Sequence, residues 1–175
     1  MKSRIVIILF VMFSLSSGEK TMLKNADNAP EFSLSDQNGN TYNLSDFKDK
    51  KYVVLIFYPG DETPVCTQQL CEIRDDYQSF SDNDAVVFGI NPADTRSHHK
   101  FATKNNFQFP LLIDNDKKVA AAYHAKGLFL NQRTVYVIDK NGKIIFAKRG
   151  KPSVQEIIAS FKGKSSDTLN IDLQK

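Results

Sequence analysis

The chain has 175 residues, 41% of them hydrophobic and 25% charged, with a formal net charge of +3. That size and balance suit one folded domain that buries a core without disulfide staples or structural metal, and they exclude a disordered chain. Lys and Arg are scattered along the sequence, so the small positive balance carries no footprint for nucleic acid.

The N-terminus differs in kind from the rest of the chain. Lys2 and Arg4 precede an apolar run from Ile5 to Phe13, and Ser14-Leu15-Ser16-Ser17-Gly18 comes next. A basic start, about ten apolar residues and then small ones is the layout of a secretory signal peptide. Residues 1–18 are therefore read as a leader that exports the protein to a periplasm or to the outside, with Gly18 or Ser16 at the cleavage site. The alternative is an uncleaved anchor, although the run falls short of the roughly 20 residues of a membrane span. Residues 19–28 are polar and without period, an N-terminal arm.

A single domain is expected over residues 29–162. Phe32-Ser33-Leu34 alternates, Asp36-Gln37-Asn38-Gly39-Asn40 turns, and Thr41-Tyr42-Asn43-Leu44 returns, which makes a small β-hairpin. Tyr52 to Tyr58 is a continuous β-branched and aromatic run, the pattern of a strand buried on both faces. Pro59-Gly60 ends it. A helix is expected from Cys66 to Phe80, with Leu70, Ile73, Tyr77 and Phe80 at helical spacing. Ala85 to Ile90 reads as a second buried strand, and Asp94 or Thr95 can cap a helix running to about Asn105.

Leu111 to Asp114 is a short strand after Pro110, and Lys117 to Tyr123 a short helix. Thr134 to Ile138 and Ile144 to Ala147 flank an Asn141-Gly142 turn, a second hairpin. Ser153 opens a last helix with Val154, Ile157, Ile158 and Phe161 on one face, and residues 163–175 form a polar tail. Strands and helices thus alternate until a closing hairpin. The expected fold is α/β and thioredoxin-like: a central mixed sheet with helices on both faces and an N-terminal β-hairpin.

Chemistry concentrates in one segment. The only two cysteines are Cys66 and Cys71. A bridge closing so short a loop contributes little stability, so the pair reads as reactive rather than structural. Cys66 follows a buried strand and a Pro/Gly loop and sits at a helix start. There, unpaired backbone N–H groups and the positive end of the helix dipole favour a thiolate over a thiol. Such strand ends are where ligands bind in open α/β sheets.

Pro59-x-x-x-Thr63-x-x-Cys66 resembles the active-site motif of peroxiredoxins. The longer run Asp61-x-Thr63-Pro64-x-Cys66-Thr67, with Cys71 and then Arg74-Asp75, resembles the Q-type (bacterioferritin-comigratory) subfamily. Ala29-Pro30-Glu31-Phe32 and Arg133 before the strand to Asp139 extend the likeness over nearly the whole domain. The resemblance implies a thioredoxin-dependent peroxidase acting on hydrogen peroxide and organic hydroperoxides. Cys66 would be the peroxidatic cysteine and Cys71 the resolving one, joined as a redox disulfide. Thr63 would bond the thiolate and the peroxide, and Pro59 would shape and shield the pocket. Arg133 would bond sulfur and peroxide oxygens through its fixed fork.

The reductant implied is a thioredoxin-like dithiol protein, the oligomeric state a monomer, and no haem, flavin or metal is required. Two positions depart from the subfamily's pattern: Val65 stands where Gly is usual before the first cysteine, and Gln69-Leu70 where Glu-Ala is usual before the second.

Helix geometry adds a mechanical expectation. Five residues on an α-helix advance about 7.5 Å and turn side chains roughly 140° apart, whereas a disulfide needs Cα atoms within about 7 Å and converging side chains. Cys66 and Cys71 can bond only after the first helical turns unwind.

Other readings compete. Cys66 and Cys71 with His98, His99 or His124 could hold a metal, but the spacing matches no usual zinc pattern, and the adjacent histidines lie on a polar helix expected to face solvent. A thiol–disulfide oxidoreductase acting on protein substrates would want Cys-x-x-Cys. A binding module with a static bridge would consume no peroxide. Arg74 is read as an outer-face partner of Asp75 or Asp76, and Phe101, Phe107 and Phe109 as packing.

Overall fold

The computed structural model describes residues 21–162. The leader at 1–18, the first two residues of the arm and the tail at 163–175 lie outside the described residues.

Element order follows from where β-branched runs and helical repeats alternate. Strands β1 (Ser33–Ser35) and β2 (Thr41–Asn43) form a two-stranded antiparallel sheet. The Asp36 carboxylate accepts from the backbone of Asn38 and Asn40, and Gly39 takes φ +84°, a left-handed conformation open to glycine at no steric cost. Five further strands make the main sheet, in the order β5-β4-β3-β6-β7. They are β3 (Tyr52–Phe57), β4 (Ala85–Asn91), β5 (Leu111–Ile113), β6 (Thr134–Ile138) and β7 (Ile144–Arg149). β3 is central, parallel to β4 (Val54 opposite Val87) and antiparallel to β6 (Leu55 opposite Tyr136). Asp139 repeats the Asp36 device at the β6–β7 turn, accepting from Asn141 and Lys143, with Gly142 at φ +77°.

Alternation along β3 divides the core. Val54, Ile56 and the following Tyr58 pack with Leu70, Phe80, Phe101 and Ile157, which come from α1 (Pro64–Asp75), α2 (Tyr77–Ser81), α3 (Thr95–Asn105) and α5 (Val154–Lys162). Val53, Leu55 and Phe57 face the other way, onto Ala120 of α4 (Lys118–Ala122), Tyr123 and the apolar residues of the β1–β2 hairpin. Helices cover both faces of a mixed sheet, as the alternation implies. Phe101 and Phe109 are buried and Phe107 is packed against them, so the three are core.

The helix expected from Cys66 to Phe80 is instead two. α1 starts earlier, at Pro64, whose fixed φ and missing N–H suit a first helical position. Asp76 leaves helical geometry (φ −102°, ψ 16°), and the break re-aims α2 so that Phe80 enters the core against Phe161. The N-terminal arm docks on the domain: Ala26 donates to Ile144 O, Asp27 O accepts from Ile144 N–H, and Leu23 packs on the hairpin face.

Candidate active site

β3 delivers the chain to the C-terminal edge of the sheet, and residues 58–63 turn it into α1. Thr63 is the N-cap, extended at φ −74° and ψ 141°, and its carbonyl takes the first helical bond, from Thr67 N–H. Cys66 is the third residue of the helix, where its own N–H has no partner within the helix. Its side chain is fully buried among apolar residues of the α1 face.

From the neighbouring strand, Arg133 at the head of β6 reaches this sulfur. Its Nη2 donates to Cys66 Sγ at 3.0 Å, and its Nη1 donates to the side-chain oxygen of Gln69, one turn along α1. The guanidinium fork therefore spans the cysteine and an amide on the same helix face. Gln69 is 2% exposed, and its Nε2 finds no acceptor. Arg133 brings a planar fork of donors already aimed at that sulfur.

The loop that presents Cys66 hangs on Asp61. One carboxylate oxygen accepts from Tyr58 OH and Asn91 Nδ2, both at 2.9 Å. The other accepts from Ser97 Oγ at 2.6 Å and lies 2.9 Å from His98 Nδ1. Strand β4 and helix α3 thus grip one residue of the loop. Burial alone would raise the Asp61 carboxyl, but the bonds from His98, Ser97 and Tyr58 outweigh it and hold the group below its ordinary range. Burial, reinforced by the Asp61 charge, pushes the Tyr58 phenol well above its usual value and keeps it a donor. Beside Asp61, Glu62 pairs with Lys100 and Lys104 of α3 at the surface.

Pro59 is half-buried at the loop's entry. Thr63 is exposed, and its hydroxyl donates to Gly60 O at 3.4 Å. Cys71 is half-buried on α1, and its thiol donates to Asn105 Oδ1 at 3.7 Å. The structure brings Cys66 and Arg133 together. It leaves the two cysteines as free thiols on one continuous helix. Among the described residues, no group of three or more His, Cys, Asp or Glu side chains could hold a metal ion.

The AhpC/TSA family profile matches residues 26–147, from the arm to β7. The chain belongs to that family. It is 41% identical over 125 residues to peroxiredoxin Bcp of Bacillus subtilis, a match covering 67% of this chain and 79% of that one. Chloroplastic peroxiredoxin Q of Triticum aestivum is 46% identical over 118 residues, covering 66% of this chain and 54% of the plant protein. The matched region thus spans about half the length of the plant relatives. The crystal structure of peroxidoxin BcpB from Mycobacterium tuberculosis superposes with a TM-score of 0.76 at 32% identity, over 81% of this chain and 98% of that one.

In this AhpC/TSA member, two groups lie outside what the motif displays. The polarity of α3 predicts a solvent-facing His98. The structure buries it fully against Asp61, and the signal in the sequence is its spacing of three and four residues from buried Phe101 and Ala102. Gln69 registers in the sequence only as a departure from a pattern, whereas in space it is the second acceptor of the Arg133 fork. Arg74 pairs with Asp75 as its place on the outer face predicts, and also donates to Asn105 O at 2.7 Å.

Proposed function

We propose that the protein is a thiol-dependent peroxidase in which Cys66 attacks the peroxide and Cys71 resolves the product. The observation that carries this reading is the 3.0 Å contact from the Arg133 guanidinium to a buried sulfur on the first turn of a helix. The Cys66 thiolate attacks the terminal oxygen of a hydrogen or organic hydroperoxide. The O–O bond breaks, water or an alcohol leaves with a proton, and Cys66 becomes a sulfenic acid. Arg133 stabilises the charge that moves from sulfur to oxygen, and its fixed fork needs little reorganisation as that charge develops. Thr63 and Pro59 frame the mouth of the site, with Thr63 rotating from Gly60 O to the incoming peroxide.

Cys71 sulfur then attacks Cys66 sulfur, the S–O bond breaks, water leaves, and an intramolecular disulfide forms. Helical geometry forbids this with α1 intact, so the first turns unwind. A thioredoxin-like dithiol protein reduces the bridge by exchange. The basic and apolar layout of residues 1–18 supports export, and the likeness to the Q-type subfamily supports a monomer.

The test uses the mature chain from Glu19, reduced and given hydrogen peroxide with a thioredoxin system as donor. Cys66→Ser abolishes consumption. Cys71→Ser stops after about one equivalent with that donor. Wild-type protein that consumes no peroxide even in the first turnover overturns the assignment.

A further inference from the structure

α3 grips the reactive segment on both sides. Upstream of Cys66, Ser97 and His98 hold Asp61 by bonds of 2.6 and 2.9 Å to a carboxylate that is almost fully buried. Downstream, the Arg74 guanidinium donates to the carbonyl of Asn105, the last residue of α3, at 2.7 Å. Both are charge-assisted bonds, about twice as strong as neutral ones. Between them, Glu62 pairs at the surface with Lys100 and Lys104 of α3, and one contact ties the cysteine-bearing helix itself to α3. The Cys71 thiol donates to Asn105 Oδ1 at 3.7 Å, and the amide of Asn105 is oriented for this by its own Nδ2, which donates to Phe101 O at 2.9 Å. A thiol is a weak donor, so this contact is the one to yield first.

Resting on the peroxidase reading above, we propose that Asn105 is a positioning residue for the resolving step, holding Cys71 on α3 until α1 unwinds. With Asp61 and Arg74 still anchored, residues between them rearrange as a tethered loop. Cys71 then leaves Asn105 and attacks the Cys66 sulfenic acid, forming the S–S bond and releasing water. The strength of the Asn105 contact therefore sets how long the sulfenic acid survives. It also sets how much of that acid a second peroxide carries on to sulfinic acid.

Two variants isolate the acceptor. Asn105→Ala and Asn105→Asp both lose the Nδ2 bond to Phe101, and they differ in whether an oxygen still faces Cys71. Each is mixed with one equivalent of hydrogen peroxide and quenched with an alkylating reagent. Mass spectrometry then follows sulfenic acid and disulfide in time, with thermal melts as the check on folding. Asn105→Ala forms the disulfide roughly two- to tenfold faster than wild type, the scale of one neutral hydrogen bond. It also yields less sulfinic acid under excess peroxide. Asn105→Asp, with a charged acceptor, resolves no faster than wild type and yields at least as much sulfinic acid. Loss of Cys66 thiol to sulfenic acid proceeds at the wild-type rate in both.

Equal resolution rates in the two variants, or Asn105→Ala no faster than wild type, overturn the role of Asn105 while leaving the peroxidase standing. A Cys66 that forms no sulfenic acid in any of the three proteins overturns the peroxidase reading and this role with it.

Discussion

Replacing Arg133 tests the centre of the mechanism, because its fork does two separable things. Nη2 donates to Cys66 Sγ at 3.0 Å and Nη1 to the Gln69 amide oxygen. A hydrogen bond from a charged donor contributes about 1.5–3 kcal/mol. If that is expressed as the reacting sulfur's charge moves to oxygen, its loss slows the step by about 10- to 150-fold, at 1.36 kcal/mol per decade. The assay is a single-turnover competition for hydrogen peroxide against a haem peroxidase, in a Cys71→Ser background so that only the first step is read.

Arg133→Met falls by that factor. Arg133→Lys keeps the charge but not the fork, and recovers part of the rate. Arg133→Met also strands both polar atoms of Gln69 in a buried site, at a cost of about 1–3 kcal/mol. The double variant Arg133→Met with Gln69→Met therefore regains stability while staying slow. A folded Arg133→Met protein reacting within threefold of its parent refutes the argument.

Further tests come from the surrounding network. Asp61→Asn loses about 2 kcal/mol at pH 7, from bonds to a charged acceptor. Because the folded-state Asp61 carboxyl is held below its ordinary value, its stabilisation is complete above the unfolded value near 4 and fades as pH falls below it. Urea midpoints of wild type and variant accordingly converge on acidification from pH 5 to 3; a gap that stays constant contradicts this. Gln69→Glu gives the orphaned amide position a charge-matched partner for Arg133, so the melt rises by about 2–4 °C for each kcal/mol gained. Peroxide reaction slows severalfold as the carboxylate shares the Arg133 charge; a rate unchanged or higher speaks against charge supply by Arg133. In Gly89→Ala, the new Cβ would sit 2.7 Å from Leu111 Cδ2 and 3.1 Å from Tyr58 Cε1. Calorimetry should register about 1–3 kcal/mol of overpacking, and an unaltered melt denies the close fit.

Much of this protein is written locally in its sequence. Two-face burial of β3 shows as an unbroken run from Tyr52 to Phe57, and both hairpins show as Asn-Gly turns opened by an aspartate, at Asp36 and at Asp139. Pro59, Thr63 and Cys66 fall at motif spacing in a single loop and helix start, so the candidate site's position is legible without a structure. Such features depend on residues a few positions apart, where periodicity and turn chemistry act directly.

The partners of those residues are not local. Arg133 lies 67 residues from Cys66, His98 lies 37 from Asp61, and Asn105 lies 34 from Cys71. Family resemblance points to Arg133; nothing in a helix as polar as Thr95-Arg96-Ser97-His98-His99-Lys100 sets His98 apart from His99 except helical phase against Phe101. Only the packing of α3 across the end of the sheet decided which histidine is buried. The same packing decided that one helix grips both sides of the segment that carries the two cysteines. A sequence states which side chains are available; which of them meet depends on the burial of distant apolar faces, and that is settled only when the whole core closes.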